Sequence, residues 1–229
     1  KLFVAIVFIS IASVCIIAFN AIRMSHDGLN LFGETAIANT HQAVFDSIIM
    51  YDKNVRSSLH SDLDFLKREI EIKGDVELIS TSLLKQTMVD QDSGESIVLE
   101  TPRLVIGGTY MNGSYDFVDQ IGKRAGISVL IFQLVEDKLL RVSSTIKTSE
   151  GKRAVGTYIP PGNPVYNAIS RGETYLEKTL VEKEWNLVAY SPLYDWDDKL
   201  VGAIYVGRPL LNTQIKEFIA NVKIGKGYF

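Results

Sequence analysis

Cysteine, histidine and tryptophan are scarce in this chain of 229 residues: one Cys, three His and two Trp. A lone Cys15 permits no internal disulfide and no cysteine-based zinc site. His26, His41 and His60 all fall before residue 75, and His41 and His60 stand 19 positions apart on what reads as one helix, too far to share a metal. There is no HExxH, GxSxG, phosphate-cradling P-loop or CxxC. The sequence therefore predicts neither an enzyme nor a cofactor or metal site. Positive charge is not in excess either: 24 Lys+Arg stand against 27 Asp+Glu, a formal net charge of −3. A nucleic-acid partner, which demands a dense basic face, is excluded on that balance. Charged residues at 22% are too many for a polytopic membrane protein, and hydrophobic residues at 46% too many for a disordered tail.

Charge is missing altogether from Leu2 to Ala21. Twenty helical residues rise about 30 Å, roughly the hydrocarbon thickness of a bilayer, so residues 1–22 are expected to form a transmembrane helix. No small-residue cleavage step of the signal-peptide kind follows. The chain opens on Lys1 without Met and closes in an apolar run, and it reads as a segment of a longer protein.

What is present begins with a stripe. Val44, Ile48, Tyr51, Val55, Leu59, Leu63, Leu66 and Ile70 recur at steps of three or four, with Asp46, Lys53, Arg56, Asp62, Lys67 and Glu69 mostly off it. No proline interrupts residues 23–75, and Gly74 supplies a stop, so one membrane-proximal helix is expected there. The repeat is too irregular for a strict heptad seam. The helix reads as a spine for a packed domain, with homodimer contacts from Ala36 to Val55 near the membrane.

Residues 76–210 change character. Strand signals cover Leu83–Val89, Ile97–Leu99, Leu104–Ile106, Ile127–Leu134, Leu139–Thr148, Thr174–Val181, Glu184–Leu193 and Leu200–Gly207. Short helices fit Tyr115–Arg124 and Pro164–Ser170, and Asn112-Gly113-Ser114 reads as a tight turn rather than a glycosylation site. The fold class is α+β, a long helix packed on an antiparallel sheet. Residues 211–229 read as a departing helix, Asn212 to Lys223, and a short tail.

One strand is chemically distinct. Regular alternation over Leu139–Thr148 sets Arg141, Ser143, Thr145 and Lys147 on one face, against Leu140, Val142, Ser144 and Ile146 on the other. Such a track of cations and hydroxyls can grip a small anion, with Arg141 forking onto a carboxylate, or it can be a solvated outer face. Phe132, Tyr166, Tyr175, Tyr190 and Tyr205 lie on neighbouring segments and can wall a pocket.

The helix "VDQIGKRAG", the strand "LLRVSST", the turn "GKRAVGT", the helix "PVYNAISRGE" and the strands "AYSPLYD" and "VGAIYVG" occur in this order over about residues 83–210. Together they resemble the Cache sensor modules of bacterial chemoreceptors, and more narrowly the Cache 3/Cache 2 fusion of methyl-accepting chemotaxis proteins. The tail "IANVKIGKGYF" resembles the opening of a second Cache module. The resemblance implies a PAS-like sheet with a long helix along one side and a ligand pocket on the other. It implies an extracytoplasmic sensor region anchored in the bacterial inner membrane, with residues after about 23 outside the cytoplasm. Such a region would bind a small carboxylate or amino acid, pair as a homodimer, and reach cytoplasmic signalling proteins through further domains. Carried over by position, Arg141 is the anion anchor and Tyr175 and Tyr190 are pocket aromatics. The sensor of a histidine kinase or nucleotide cyclase, a non-binding structural module and an anchored enzyme are the alternatives.

Overall fold

The structure is a computed structural model that describes the backbone of residues 2–181, 184–210, 223–224 and 227–228, and the side chains of residues 14–181 and 184–210. Contacts divide the chain into two units, residues 1–51 with 217–229, and residues 52–216. In the first unit, helix α1 (Leu2–Lys73) begins, and two short strands near the end of the chain pair with each other. Helix α1 runs unbroken through residue 22, where the expected membrane span was to continue into the membrane-proximal helix. Among the described residues no helix is long and apolar enough to cross a membrane; residues 1–13, which carry most of the charge-free run, lie outside the described side chains. The helix expected from Asn212 to Lys223 falls on residues 211–222, which also lie outside the described residues.

The second unit is a sheet with helices on both faces. The part of α1 from Asp52 onward buries Val55, Leu59, Leu63, Leu66 and Ile70, the C-terminal half of the stripe. Leu59 and Leu66 are fully buried, and each such leucine contributes roughly 1.5–3 kcal/mol. The helix stops at Gly74, whose φ of 123° no side-chain-bearing residue adopts readily.

Strands β1 (Val76–Asp90) and β2 (Ser96–Ile106) form a long hairpin, followed by β3 (Thr109–Tyr110), α2 (Asp116–Ala125), β4 (Ser128–Val135), β5 (Lys138–Ser144), β6 (Thr157–Ile159), α3 (Pro164–Ser170), β7 (Tyr175–Val181), β8 (Glu184–Tyr194) and β9 (Leu200–Pro209). Among the described residues the sheet order is β3-β2-β1-β6-β5-β4-β9-β8-β7. All pairs are antiparallel except β1 with β6, which corrects the expected wholly antiparallel sheet. The strand expected at Leu83 starts seven residues earlier, and Ile97–Leu99 and Leu104–Ile106 are one strand; an irregularity between Ile79 and Leu83 breaks the alternation from which strands are read.

Local chemistry sets the ends of the short helices. Gly126 caps α2 in the left-handed region at φ 65°, its N–H donating to Gly122 O. A Cβ on Gly122 would meet Ile127 O and the Thr145 methyl, so this glycine lets α2 lie close to the sheet. Helix α3 begins on Asn163, whose Oδ1 accepts from Val165 N at 3.0 Å, with Pro164 in the first turn. The Asn112 turn is a polar knot: Asn112 Oδ1 accepts from Leu104 N and its Nδ2 donates to Gln133 Oε1, both at 2.8 Å. Both ends of that amide are engaged, as a structural turn requires.

Candidate functional site

On the α3 face of the sheet a row of side chains crosses four strands in register: Tyr175 opposite Tyr190, Tyr190 opposite Tyr205, and Tyr205 opposite Leu130. The Tyr190 and Tyr205 rings meet edge-on at 5.1 Å, and Phe132 lies 5.9 Å from Tyr190. Tyr205 has room because a Cβ on Gly207 would stand 2.5 Å from its Oη. Leu130, Phe132, Leu139, Ile159, Val188 and Ala203, with Val165 and Ile169 of α3, make the core on this side.

Over the tyrosine row lies a cavity of about 360 Å³. Its floor is Tyr190, Tyr205 and Leu130; one wall is Arg141, Ile146 and Ala154; the opposite wall is Glu177, Thr179, Leu180 and Val181 of β7; Gln91 and Asp92 of the β1–β2 turn close an end. Asp92 is tied to α3 through Asn163 Nδ2, which donates to its Oδ2 at 3.1 Å.

Arg141 is half-buried, with its guanidinium carbon 5.6 Å from the centre of the Phe132 ring. Nη1 donates to Ala154 O at a long 3.5 Å, and the buried Nε has no hydrogen-bond partner. Burial lowers its pKa, opposed by the nearby Tyr190 and Tyr205. The same burial pushes the tyrosine hydroxyls well above the ordinary phenol value, so both stay protonated donors. Glu177 is raised by desolvation alone. Among the described residues neither Arg141 nor Glu177 takes part in an ion pair.

The expected residues separate into groups. Arg141, Tyr190 and Tyr205 line the cavity, and Phe132 supports Arg141 from below. Tyr175 and Tyr166 pack against the same core without lining the cavity. The single track of Arg141, Ser143, Thr145 and Lys147 is corrected. The β4–β5 register shifts between Ile131, opposite Ser143, and Phe132, opposite Arg141, leaving Val142 as an extra bulged residue. Past the bulge Ser144 shares the Arg141 face, while Ser143 donates to Ser114 O at 2.6 Å and Thr145 bonds Val129 on the α2 side. The strand ends at Ser144, and Lys147 is exposed, bridged to Arg153.

Sequence reasoning missed Glu177 and Thr179, although their alternation with Tyr175 along β7 carries the signal. Gln91 and Asp92 gave none, because only the pairing of β1 with β6 brings that turn over the sheet. A larger groove of about 610 Å³, lined by Lys67, Ile70, Tyr194, Trp196 and Ile204 among others, lies on the α1 side. It contains no unpartnered buried cation among the described residues. No His/Cys/Asp/Glu cluster able to hold a metal occurs among the described residues.

The sequence model of the Cache 3/Cache 2 fusion domain matches residues 28–229. Among curated protein sequences nothing matches. Of solved structures, the Escherichia coli DcuS sensor domain is 18% identical, covers 44% of this chain and 67% of its own, with a TM-score of 0.29. A light-oxygen-voltage domain studied with a flavin analogue is also 18% identical, over 44% of this chain and 90% of its own, with a TM-score of 0.31.

Proposed function

The chain belongs to the Cache 3/Cache 2 fusion domain family of signal-sensing modules, and from that premise we propose that its cavity binds a small carboxylate-bearing molecule on behalf of a transmembrane bacterial receptor. The observation that carries the reading is Arg141: a fork-shaped cation with a buried, unpartnered Nε, facing a cavity floored by two protonated tyrosine hydroxyls. A charged hydrogen bond contributes about 1.5–3 kcal/mol and micromolar binding needs about 8. Burial of the ligand's carbon skeleton against Leu130, Ile146 and the tyrosine rings supplies the remainder, which favours a small, partly apolar acid over a sugar.

The receptor is anchored by the charge-free run Leu2–Ala21, with the residues that follow outside the cytoplasm, and its output is a methyl-accepting chemotaxis domain. The downstream coding sequence decides that last point. The part of the stripe in the first unit leaves Ile48 47% exposed beside Phe45 and Ile49, and we assign this surface to pairing between two copies. Single cysteines at Val44 or Ile48 are expected to cross-link in membranes; absence of cross-links along the stripe refutes the pairing.

The binding test is calorimetry on the full chain in detergent with short mono- and dicarboxylates and amino acids. Arg141→Ala is expected to weaken binding at least tenfold. A change within twofold refutes the anchor.

A further inference from the structure

We propose that the turn between β8 and β9, with the groove on each side of it, is a docking surface for a partner protein presenting a basic, Lys- or Arg-bearing segment. The surface is separate from the tyrosine-row cavity and does not depend on what that cavity holds. Its anchor is Trp196, 73% exposed in the turn, with Tyr194 beside it at 40%. Trp and Tyr are the side chains on which binding energy concentrates at protein interfaces. The turn holds the indole in place: Asp195 Oδ1 accepts from Asp197 N at 3.0 Å and from Lys199 N at 2.9 Å. A ring fixed in this way loses little freedom on binding.

Grooves of about 610 and 510 Å³ share Asp195 and Trp196 as a common wall. The first lies between the last turn of α1 and β8. Its lining includes Ser191, only 2% exposed, whose hydroxyl forms no hydrogen bond with any described residue. A polar group from outside therefore has a partner waiting there. The second groove passes Leu99, Pro102 and Leu134. A projecting ring between two troughs suits an extended segment laid across the ridge. A small molecule would need enclosure on most sides.

Charge selects the partner. The end of α1 and the start of β1 supply Glu71, Asp75 and Glu77, and the turn supplies Asp195, Asp197 and Asp198. None of the six takes part in an ion pair among the described residues. Against them stand Lys67 and Lys199, so this surface carries a formal charge of −4, beyond the −3 of the whole chain. Glu100 and Glu136 also line the second groove, but Lys85 stands opposite the one in the hairpin and Lys138 lies 3.6 Å from the other. The last turn of α1 adds the negative end of its dipole. The described strands break off at the other end of the sheet, where Asn186 faces Pro209, roughly 23 Å along β8 from Leu193. A second copy docked here across a two-fold axis would bring the surface against itself, and an anionic bilayer carries the same sign; both are repelled. A basic protein segment is attracted, with a Lys or Arg side chain able to lie over the Trp196 ring.

The test selects a displayed library of short random peptides on the full 229-residue chain in nonionic detergent, with counter-selection on Trp196→Ala. The selected peptides are expected to be net positive. In calorimetry synthetic copies should bind wild type at least tenfold tighter than Trp196→Ala, and tenfold tighter than the double variant Glu71→Gln with Asp75→Asn. Their affinity should fall as salt is raised. Arg141→Ala should leave it within twofold, which separates this surface from the cavity. Melting of the variants, expected near wild type because Trp196, Glu71 and Asp75 are exposed, reports folding independently. Selected peptides that are neutral or acidic, binding to Trp196→Ala within twofold of wild type, or a selection that enriches nothing overturns the docking assignment. So does spermidine or tetramethylammonium bound as tightly as the best peptide, which would make the groove a site for small cations.

Discussion

The two faces of the central sheet handle charge in opposite ways. On the α1 and α2 face several ionic groups are closed against one another: Arg208 forks onto Asp62, with Nη2 donating to Oδ1 at 2.9 Å, Arg124 pairs with Glu69, and Lys178 reaches Asp52 at 3.0 Å. Arg153 is bidentate to Asp119, one contact at 2.8 Å, and also bonds the backbone oxygens of Ser144 and Thr145. On the α3 face Arg141 and Glu177 remain open toward a cavity. Closed pairs fix α1 and α2 on the sheet, whereas open charges are a standing cost that makes sense where a ligand completes them.

The largest expected effect breaks a closed pair. Asp62→Ala leaves Arg208 facing a buried position whose former carboxylate side chain was 10% exposed, and should cost about 3 kcal/mol in urea unfolding. Replacing both partners together by apolar residues should recover most of that loss. Arg141→Met in the ligand-free protein is the counterpart on the open face. It removes an unpartnered buried donor but also a contact over Phe132, so stability should change by less than about 1 kcal/mol. A loss as large as that of Asp62→Ala would show that Arg141 is structural.

The smallest effect is one of pH. Burial raises the folded-state pKa of Glu177, which faces Arg141, Tyr190, Tyr205 and Asp92 across the cavity, with Tyr175 beside it on β7. Between the unfolded value, about 4.3, and the raised folded value the native state holds the extra proton. Its contribution to stability therefore declines as pH rises through that window and stays low above it. Asp52, lowered by Arg56 and Lys178, behaves oppositely: its contribution is present at neutral pH and lost as pH falls through the depressed value. Melting of wild type and Glu177→Gln between about pH 4 and 8 should diverge progressively in favour of the variant. Parallel curves would mean that Glu177 is solvated.

Much of this architecture was legible in the chain because it is local. Helix α3 matches its expected span, Pro164–Ser170, since Asn163 and Pro164 announce its start. Gly126 marks the end of α2, and the buried half of the stripe on α1 is read directly from spacing. The site was legible only in part. Arg141, Tyr190 and Tyr205 stood out by residue type, but their companions depend on pairing between distant strands. No periodicity within β5 reveals that β4 skips Val142. Glu177 was passed over because carboxylates are common in the sequence, and only the cavity separates it from the rest.

The extra residue at Val142 has a consequence for how related strands are aligned by eye. A strand keeps time with a period of two, and the bulge is a slip of phase. Counted forward from Leu139, Arg141 lands beside the tyrosine row; counted back from Ile146 in steps of two, the same row is credited to Val142 and Leu140 instead. Excision of Val142 from the strand would restore a regular beat and still leave Arg141 and Ser144 on one side, Ser143 on the other. A relative one residue shorter at this point thus keeps the same inner set, and a comparison that refuses the gap would report a lost arginine where none was lost.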